Sequence, residues 1–276
     1  LNEAHAVFTN AAGALSLLSV SGFLKIAAGF FALCLLAAPV WSDAPQSGCS
    51  AETYLGEDYI ICRFDSRTDD IRLFLNDEAG APYAVFTNVE AALSQEGKSL
   101  AFAMNAGMYR PDRSPAGLYI EGDYEGRALQ IKAGPGNFGL LPNGVFSITG
   151  QTASVTETQA YKQAGLAPDY ATQSGPMLVI EGAMHPKFRQ GSTSKYRRNG
   201  VGVGRDGQAV YFAISAKPVN LHSFAGLFKD HLKTPNALYL DGAVSKLYAP
   251  DIGRADIGSA MGPIVGVVVE KRDKGE

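Results

Sequence analysis

The chain has 276 residues, 46% hydrophobic and 18% charged, with 24 Lys and Arg against 27 Asp and Glu for a formal net charge of -3. This describes a globular protein with room for one large core or two modest ones, and it lacks the basic excess of a nucleic-acid surface, so no nucleic-acid partner is expected. The 31 Gly and 14 Pro residues demand frequent turns, as in sheet-rich proteins built from many short strands.

Residues 1–48 differ in kind from the rest. Between Ala11 and Trp41 the only charge is Lys25, and the apolar run Ile26 to Trp41 gives way to the small, polar stretch Ser42 to Gly48. A positive residue, an apolar stretch and a small-residue exit predict a signal peptide, with an N-terminal membrane anchor as the alternative; residues before about Lys25 read as an over-extended start. The remainder, 49–276, is expected to be periplasmic or secreted, touching a membrane only through that leading segment. Cys34 lies in the apolar run, whereas Cys49 and Cys62 belong to the remainder. They are available for one disulfide in an oxidising compartment, or stand as two thiols. The composition does not set an oligomeric state.

After Cys49, Tyr59 to Phe64 and Ile71 to Leu75 read as a hairpin around Asp65 to Asp70. Asn88 to Gln95 predicts a short helix capped by Asn88 and ending near Gly97. Ser99 to Met104 is a strand that exits into Asn105-Ala-Gly-Met-Tyr109, and Gly117 to Glu121 is another. Val145 to Ile148 and Ala153 to Thr156 flank the turn Thr149-Gly150. Tyr170 to Ser174 leads through Gly175-Pro176 into Met177 to Ile180, a strand interrupted by a kink expected to expose backbone amides and the Ser174 hydroxyl.

Lys187 to Arg198 is the densest basic segment, with Lys187, Arg189, Lys195, Arg197 and Arg198 and no acid. Gly202-Val-Gly-Arg-Asp-Gly207 spells a dinucleotide fingerprint, but a β-branched and aromatic strand follows it where that fingerprint must open a helix, so Asp206-Gly207 is a hairpin turn. Ser223 to Leu232 predicts the best helix, capped by Ser223, with Phe224, Leu227, Phe228 and Leu232 on one stripe. Ala237 to Leu240 is a buried strand broken by Asp241-Gly242, and Ile264 to Val269 a central one. Many short strands, few helices and no regular alternation predict an α+β fold, with mixed or antiparallel sheets and a few helices in a single compact domain.

No nucleophile elbow, Walker loop, zinc helix or cysteine cluster is present, and no cofactor or metal is expected. What remains is a set of polar residues at strand exits, Asn105, Ser174, Asp241 and Ser245, with Arg197 and Arg198 nearby in sequence. A carboxylate at a strand end is held rigidly while facing loops, although the same residue type also simply turns a chain. Paired arginines suit a phosphate, or form an ordinary solvated face. His222, just before the helix cap, is placed to face the same cleft as Asp241, or is as readily packed or solvated. His185 and His231 are as readily packed or solvated as functional.

Met104-Asn-Ala-Gly-Met-Tyr109, Ser114-Pro-Ala-Gly-Leu-Tyr119, Pro142-Asn-Gly-Val-Phe146, Ala171-Thr-Gln-Ser-Gly-Pro-Met177, Arg198-Asn-Gly-Val-Gly202 and Ala237-Leu-Tyr-Leu-Asp-Gly242 with Ser245 resemble, in order, the phosphodiester glycosidase family. The resemblance spans roughly Cys49 to Val269. It implies hydrolysis of a sugar-1-phosphodiester at the glycosidic C–O bond, with a sugar phosphate or anionic glycan as partner. Asp241 is then the base or nucleophile, or a substrate anchor, and His222 the proton donor. Asn105, Gly107, Asn143, Ser174, Gly175, Arg197, Arg198, Gly242 and Ser245 bind substrate. Asn105-Ala-Gly107 and Asp241-Gly-Ala243 depart from the Asn-Gly-Gly and Asp-Gly-Gly forms of the family's uncovering-enzyme branch. The other readings are a metal-assisted phosphodiesterase using Asp241, Asp251 and Asp256, and a non-catalytic module binding anionic envelope glycan.

Overall fold

The computed structural model describes residues 48–271; the leading segment, with Cys34, lies outside the described residues. Every paired strand is antiparallel. The largest sheet has seven strands in the spatial order Gly48–Tyr54, Glu57–Asp65, Ala209–Ser215, Asn199–Val203, Asn236–Asp241, Met177–Ile180 and Ala183–Met184. A second sheet runs Arg254–Ala255, Leu247–Ala249, Lys98–Asn105, Ile264–Glu270, Asp70–Phe74. A third runs Tyr124–Arg127, Tyr119–Glu121, Tyr170–Ser174, Gly144–Thr149, Thr152–Glu157. Three short helices complete an α+β domain in which the pairing is antiparallel throughout.

The three sheets meet on one aromatic group. Phe212 of the large sheet lies 5.0 Å, centroid to centroid, from Phe102 of the second and 5.8 Å from Phe146 of the third. Phe64 packs 5.0 Å from Phe102. All four are buried, and offset or edge contacts of this kind add about 0.5–1.5 kcal/mol per pair beyond area burial.

Sequence pattern located the strands better than their partners. Tyr59 to Phe64 and Ile71 to Leu75 do not form a hairpin. Glu57–Asp65 pairs with Gly48–Tyr54 and Ala209–Ser215, while Asp70–Phe74 pairs with Ile264–Glu270. The polar link between them passes the chain from one sheet to another, and Asp65 is tied to it by accepting from Arg67. The Ser-Gly-Pro kink does the same, because Tyr170–Ser174 belongs to the third sheet and Met177–Ile180 to the first. Cys49 and Cys62 face each other across the first hairpin and are joined by a disulfide. Asp206-Gly207 is the expected hairpin turn, with Gly207 at φ 71.

Two helix starts also move. The first helix is Phe86–Gln95 with Val85 at its N-cap, and Asn88 instead donates from Nδ2 to the Tyr83 carbonyl. The other is Leu221–Gly226, continued by one π turn Leu227–His231. Its cap is Asn220, whose Oδ1 accepts the Ser223 N–H at 2.8 Å. Asn is at least as good a cap as Ser, so the helix starts two residues earlier than expected. Phe224, Leu227 and Phe228 are buried as the stripe requires, and they cover the face of Asn236–Asp241 that carries Ala237 and Tyr239. Leu238 and Leu240 point into the main core on the opposite face. The strand is thus covered on both sides, and its C-terminal end borders a cavity.

Candidate active site

That end is shaped by a β-bulge. Gly200 pairs with Tyr239 and Asn199 with Asp241, so one step along Asn199–Val203 is met by two on Asn236–Asp241. Bulges bend a strand and re-aim its side chains, and this one sets Asp241 opposite Asn199. Asn199 then makes the central connection of the site. Its Oδ1 accepts the Asp241 N–H at 2.9 Å, and its Nδ2 donates to Asn105 Oδ1 at 2.7 Å and to the Asn105 carbonyl at 3.0 Å. Asn105 Oδ1 also accepts the Lys246 N–H at 3.0 Å. These bonds fix which end of the Asn105 amide is oxygen and leave its Nδ2 buried with no partner among the described residues. A buried donor left open is costly unless a ligand completes it, at about 1–3 kcal/mol.

Asp241 is 5% exposed. Its Oδ1 accepts the N–H groups of Gly242 at 2.6 Å and Ala243 at 2.9 Å. Burial pushes its carboxyl up to about 6, against the amides of Ala243, Gly242 and Val244, which favour the ionised form. The side chain lines a cavity of about 310 Å³ together with Met108, Tyr109 and Asn137. Burial raises the Tyr109 phenol, and the charge of Asp241 raises it further. Gly242 and Ala243 also line a second cavity of about 610 Å³, bordered by Lys195, Arg197, Ser245 and Lys246. A carboxyl pushed up to about 6 therefore stands in a cavity that shares Gly242 and Ala243 with a second one lined by three cationic side chains, Lys195, Arg197 and Lys246, and by Asp256.

The sequence candidates separate into two groups. Asp241, Gly242, Arg197 and Ser245 line the two cavities, and Asn105, wholly buried, stands behind them through its bonds to Asn199 and the Lys246 N–H. Ser245 Oγ donates to the carbonyls of Arg197 at 2.8 Å and Asp241 at 3.1 Å, stitching the two walls. Gly242 is required for a reason other than the one its turn suggested. It does not adopt a positive φ; a Cβ there would lie 1.6 Å from the Tyr239 hydroxyl. Gly107 is similar, since a Cβ would approach Thr172 Oγ1 to 2.9 Å, and its close packing holds the loop that delivers Met108 and Tyr109.

The second group supports the fold. Arg198 is fully buried and spends its guanidinium on the carbonyls of Val219 and Ser194 and on the Tyr239 hydroxyl, with its plane against the Tyr196 and Tyr239 rings. Burial lowers its pKa, with Tyr239 opposing. Ser174, expected to face a ligand, is buried and donates to the Leu240 carbonyl at 2.7 Å, because the kink turns it inward under the bulged strand. Gly175 packs on Asn143, whose amide bonds Phe138 and Thr158. His222 sits half-buried in the first turn of its helix, and the residues lining the Asp241 cavity do not include it. Asn199, Tyr109 and Lys246 were missed as candidates; Asn199 stood in plain view inside Arg198-Asn-Gly-Val-Gly202, masked by the arginine beside it.

Asp251 lies outside these cavities, and Asp256, which lines the cationic one, is already paired. Asp251 accepts the Cys49 N–H, while Asp256 pairs with Arg254 and accepts the Leu247 N–H. No cluster of three His, Cys, Asp or Glu with metal-holding geometry occurs among the described residues.

The family model for phosphodiester glycosidase matches residues 98–260, a span that carries Asn105, Asn199, Asp241 and the cationic wall. The chain belongs to the phosphodiester glycosidase family. It is 32% identical over 220 residues to the uncharacterized protein YigE of Escherichia coli, covering 79% of this chain and 84% of that one. Its fold is similar to that of the catalytic domain of zebrafish N-acetylglucosamine-1-phosphodiester alpha-N-acetylglucosaminidase, auto-inhibited by its pro-peptide. The TM-score is 0.54 at 14% identity, over 82% of this chain and 84% of that one. Membership supports a glycosidase-type hydrolase.

Proposed function

We propose that the protein hydrolyses the glycosidic C–O bond of a sugar-1-phosphodiester, releasing a free sugar and a phosphomonoester. The observation that carries this reading is Asp241, a buried strand-end carboxyl with its pKa near 6, in a cleft walled by Lys195, Arg197 and Lys246. In this arrangement the sugar occupies the cavity that Asp241 lines with Tyr109 and Asn137. The phosphate lies toward the cations.

Phosphate leaves without a strong general acid, so His222 is not needed in that role. The chemistry asks instead for cations to hold the leaving charge and a carboxylate to assist the incoming nucleophile at C1. As base, ionised Asp241 takes a proton from water as the water oxygen bonds to C1 and the C1–O bond breaks; the electron pair leaves on the phosphate. The Cys49–Cys62 disulfide supports an oxidising compartment, periplasmic or extracellular.

Turnover of a panel of sugar-1-phosphodiesters in oxygen-18 water tests the reaction directly. The label is expected in the sugar. Label in the phosphate would mean P–O cleavage, and binding with no label in either product would mean a non-catalytic module; both overturn the proposal.

A further inference from the structure

A third cavity, of about 260 Å³, adjoins the cationic one and differs from it in character. Its walls are Val85, Phe86, Tyr248 and Met261, with the exposed Thr87 and Ile257 also lining it. The two cavities share Lys246, Asp256, Ile257 and Gly258. Lys246 marks the change of chemistry between them. Its ammonium is tied to the Ser259 carbonyl, while the residue borders both cavities. A long alkyl stem lining apolar space beneath a polar head is the usual behaviour of lysine at such boundaries. The carboxylate at this junction is already neutralised, since Asp256 receives two bonds from Arg254, at 3.1 and 2.8 Å.

Ile257 supplies a second, independent observation. It lines both cavities and is 90% exposed. A large apolar side chain standing in water beside an apolar cavity is what a bound apolar group would cover. The three compartments then run in one order: the Asp241 pocket, the cationic wall, the apolar pocket.

Resting on the reaction proposed above, we infer that the apolar pocket is the subsite for the alcohol half of the diester, and that this alcohol is hydrophobic, an alkyl or aryl group and not a second sugar. A sugar at C1 reaches the Asp241 cavity, its phosphate the cations, and the ester group beyond the phosphate meets Phe86, Met261 and Ile257. A second sugar there would bury hydroxyls against Val85, Phe86, Met261 and Ile257, which cannot bond them, while Asp256 and Lys246 are already engaged with Arg254 and Ser259 and leave only Thr87 and the Tyr248 phenol as partners.

Calorimetry on the full chain with n-hexyl phosphate and methyl phosphate tests the pocket without depending on turnover. Each methylene taken out of water is worth about fourfold in affinity, so hexyl phosphate is expected to bind at least on the order of tenfold tighter. Ile257→Asp and Thr87→Glu, both at exposed rim positions, are expected to bring that ratio towards one. Equal binding of the two phosphates, or a ratio unmoved by both substitutions, overturns the inference.

The paired arm compares hexyl and methyl esters of one sugar-1-phosphate. A kcat/KM ratio following the binding ratio supports the subsite, and equal values with both esters cleaved overturn it. Tight hexyl phosphate binding with neither ester cleaved at C–O would overturn the reaction and retain the pocket.

Discussion

Asn199 Oδ1 accepts the backbone N–H of Asp241 at 2.9 Å, and through Nδ2 the same side chain holds both oxygens of Asn105. One amide thereby clamps the end of the bulged strand to the end of a strand in another sheet. Asn199→Ala leaves the Asp241 N–H and the Asn105 oxygens short of a partner, at a cost of about 1–3 kcal/mol in stability. A displacement of about 1 Å at the carboxylate costs on the order of 100-fold in rate. The expected outcome is a kcat lowered on that scale, with KM changed much less. The pH midpoint of kcat should also move, because Asp241 no longer keeps its present burial; a midpoint identical to wild type with normal kcat would leave Asn199 a structural residue only.

The acidity of Asp241 makes two coupled predictions. If it works ionised, kcat/KM rises with pH through a limb near 6. Stability runs the other way. A carboxyl whose pKa is raised in the folded state takes up a proton on folding, so its contribution is greatest below the unfolded value of 3.8, declines between 3.8 and about 6, and is flat above. That loss amounts to roughly 3 kcal/mol at most, since each tenfold change in proton affinity between the folded and unfolded chain is worth about 1.4 kcal/mol. Asp241→Asn should therefore melt close to wild type at pH 4 and above it at pH 7.5, while activity falls on the order of 100-fold or more. A mutant with full activity removes Asp241 from the mechanism.

Strand positions were legible in the sequence because short apolar runs are bounded by turn residues, and Ala237 to Leu240 before Asp241-Gly242 shows it plainly. Sheet partners were not, since pairing is decided by residues far apart. Nothing local in Asp65 to Asp70 says that the chain leaves one sheet there, and turn chemistry alone reads as a hairpin. The same limit governed the site. Asp241 stood out by its place at a strand end, but the bulge that sets it opposite Asn199 exists only when both strands are aligned. Ser174 and Arg198 look functional by residue type; their carbonyl partners, Leu240, Val219 and Ser194, are what make them internal supports.

The neighbouring arginines should respond differently to the same change. Arg197 is exposed, with one bond from Nη2 to the Ala216 carbonyl at 3.2 Å, and it borders the cationic cavity. Arg197→Ala is expected to leave stability within about 0.5 kcal/mol of wild type and to raise KM for a phosphodiester roughly tenfold or more. Arg198→Ala removes three bonds, to the Val219 and Ser194 carbonyls and the Tyr239 hydroxyl, and empties a fully buried site, and it costs about 2 kcal/mol or more. Thermal unfolding with steady-state kinetics separates them. A large stability loss in Arg197→Ala, or none in Arg198→Ala, reverses the assignment.

Gly242 offers a test of the close approach that shapes the site. A methyl there meets the Tyr239 hydroxyl at 1.6 Å, and that hydroxyl accepts from Arg198 Nη1 at 2.9 Å. Gly242→Ala must therefore push the tyrosine, and with it the arginine, or shift the strand end that carries Asp241. Overpacking of this kind costs about 1–3 kcal/mol, with activity falling because the carboxylate moves too. Tyr239→Phe removes the colliding atom and gives up one hydrogen bond. The double variant Gly242→Ala with Tyr239→Phe should be less destabilised than the sum of the two single changes, since contact residues couple by about 0.5–3 kcal/mol. Denaturant unfolding of the four proteins measures that coupling. Strict additivity would mean that the glycine serves some need other than room for the tyrosine hydroxyl.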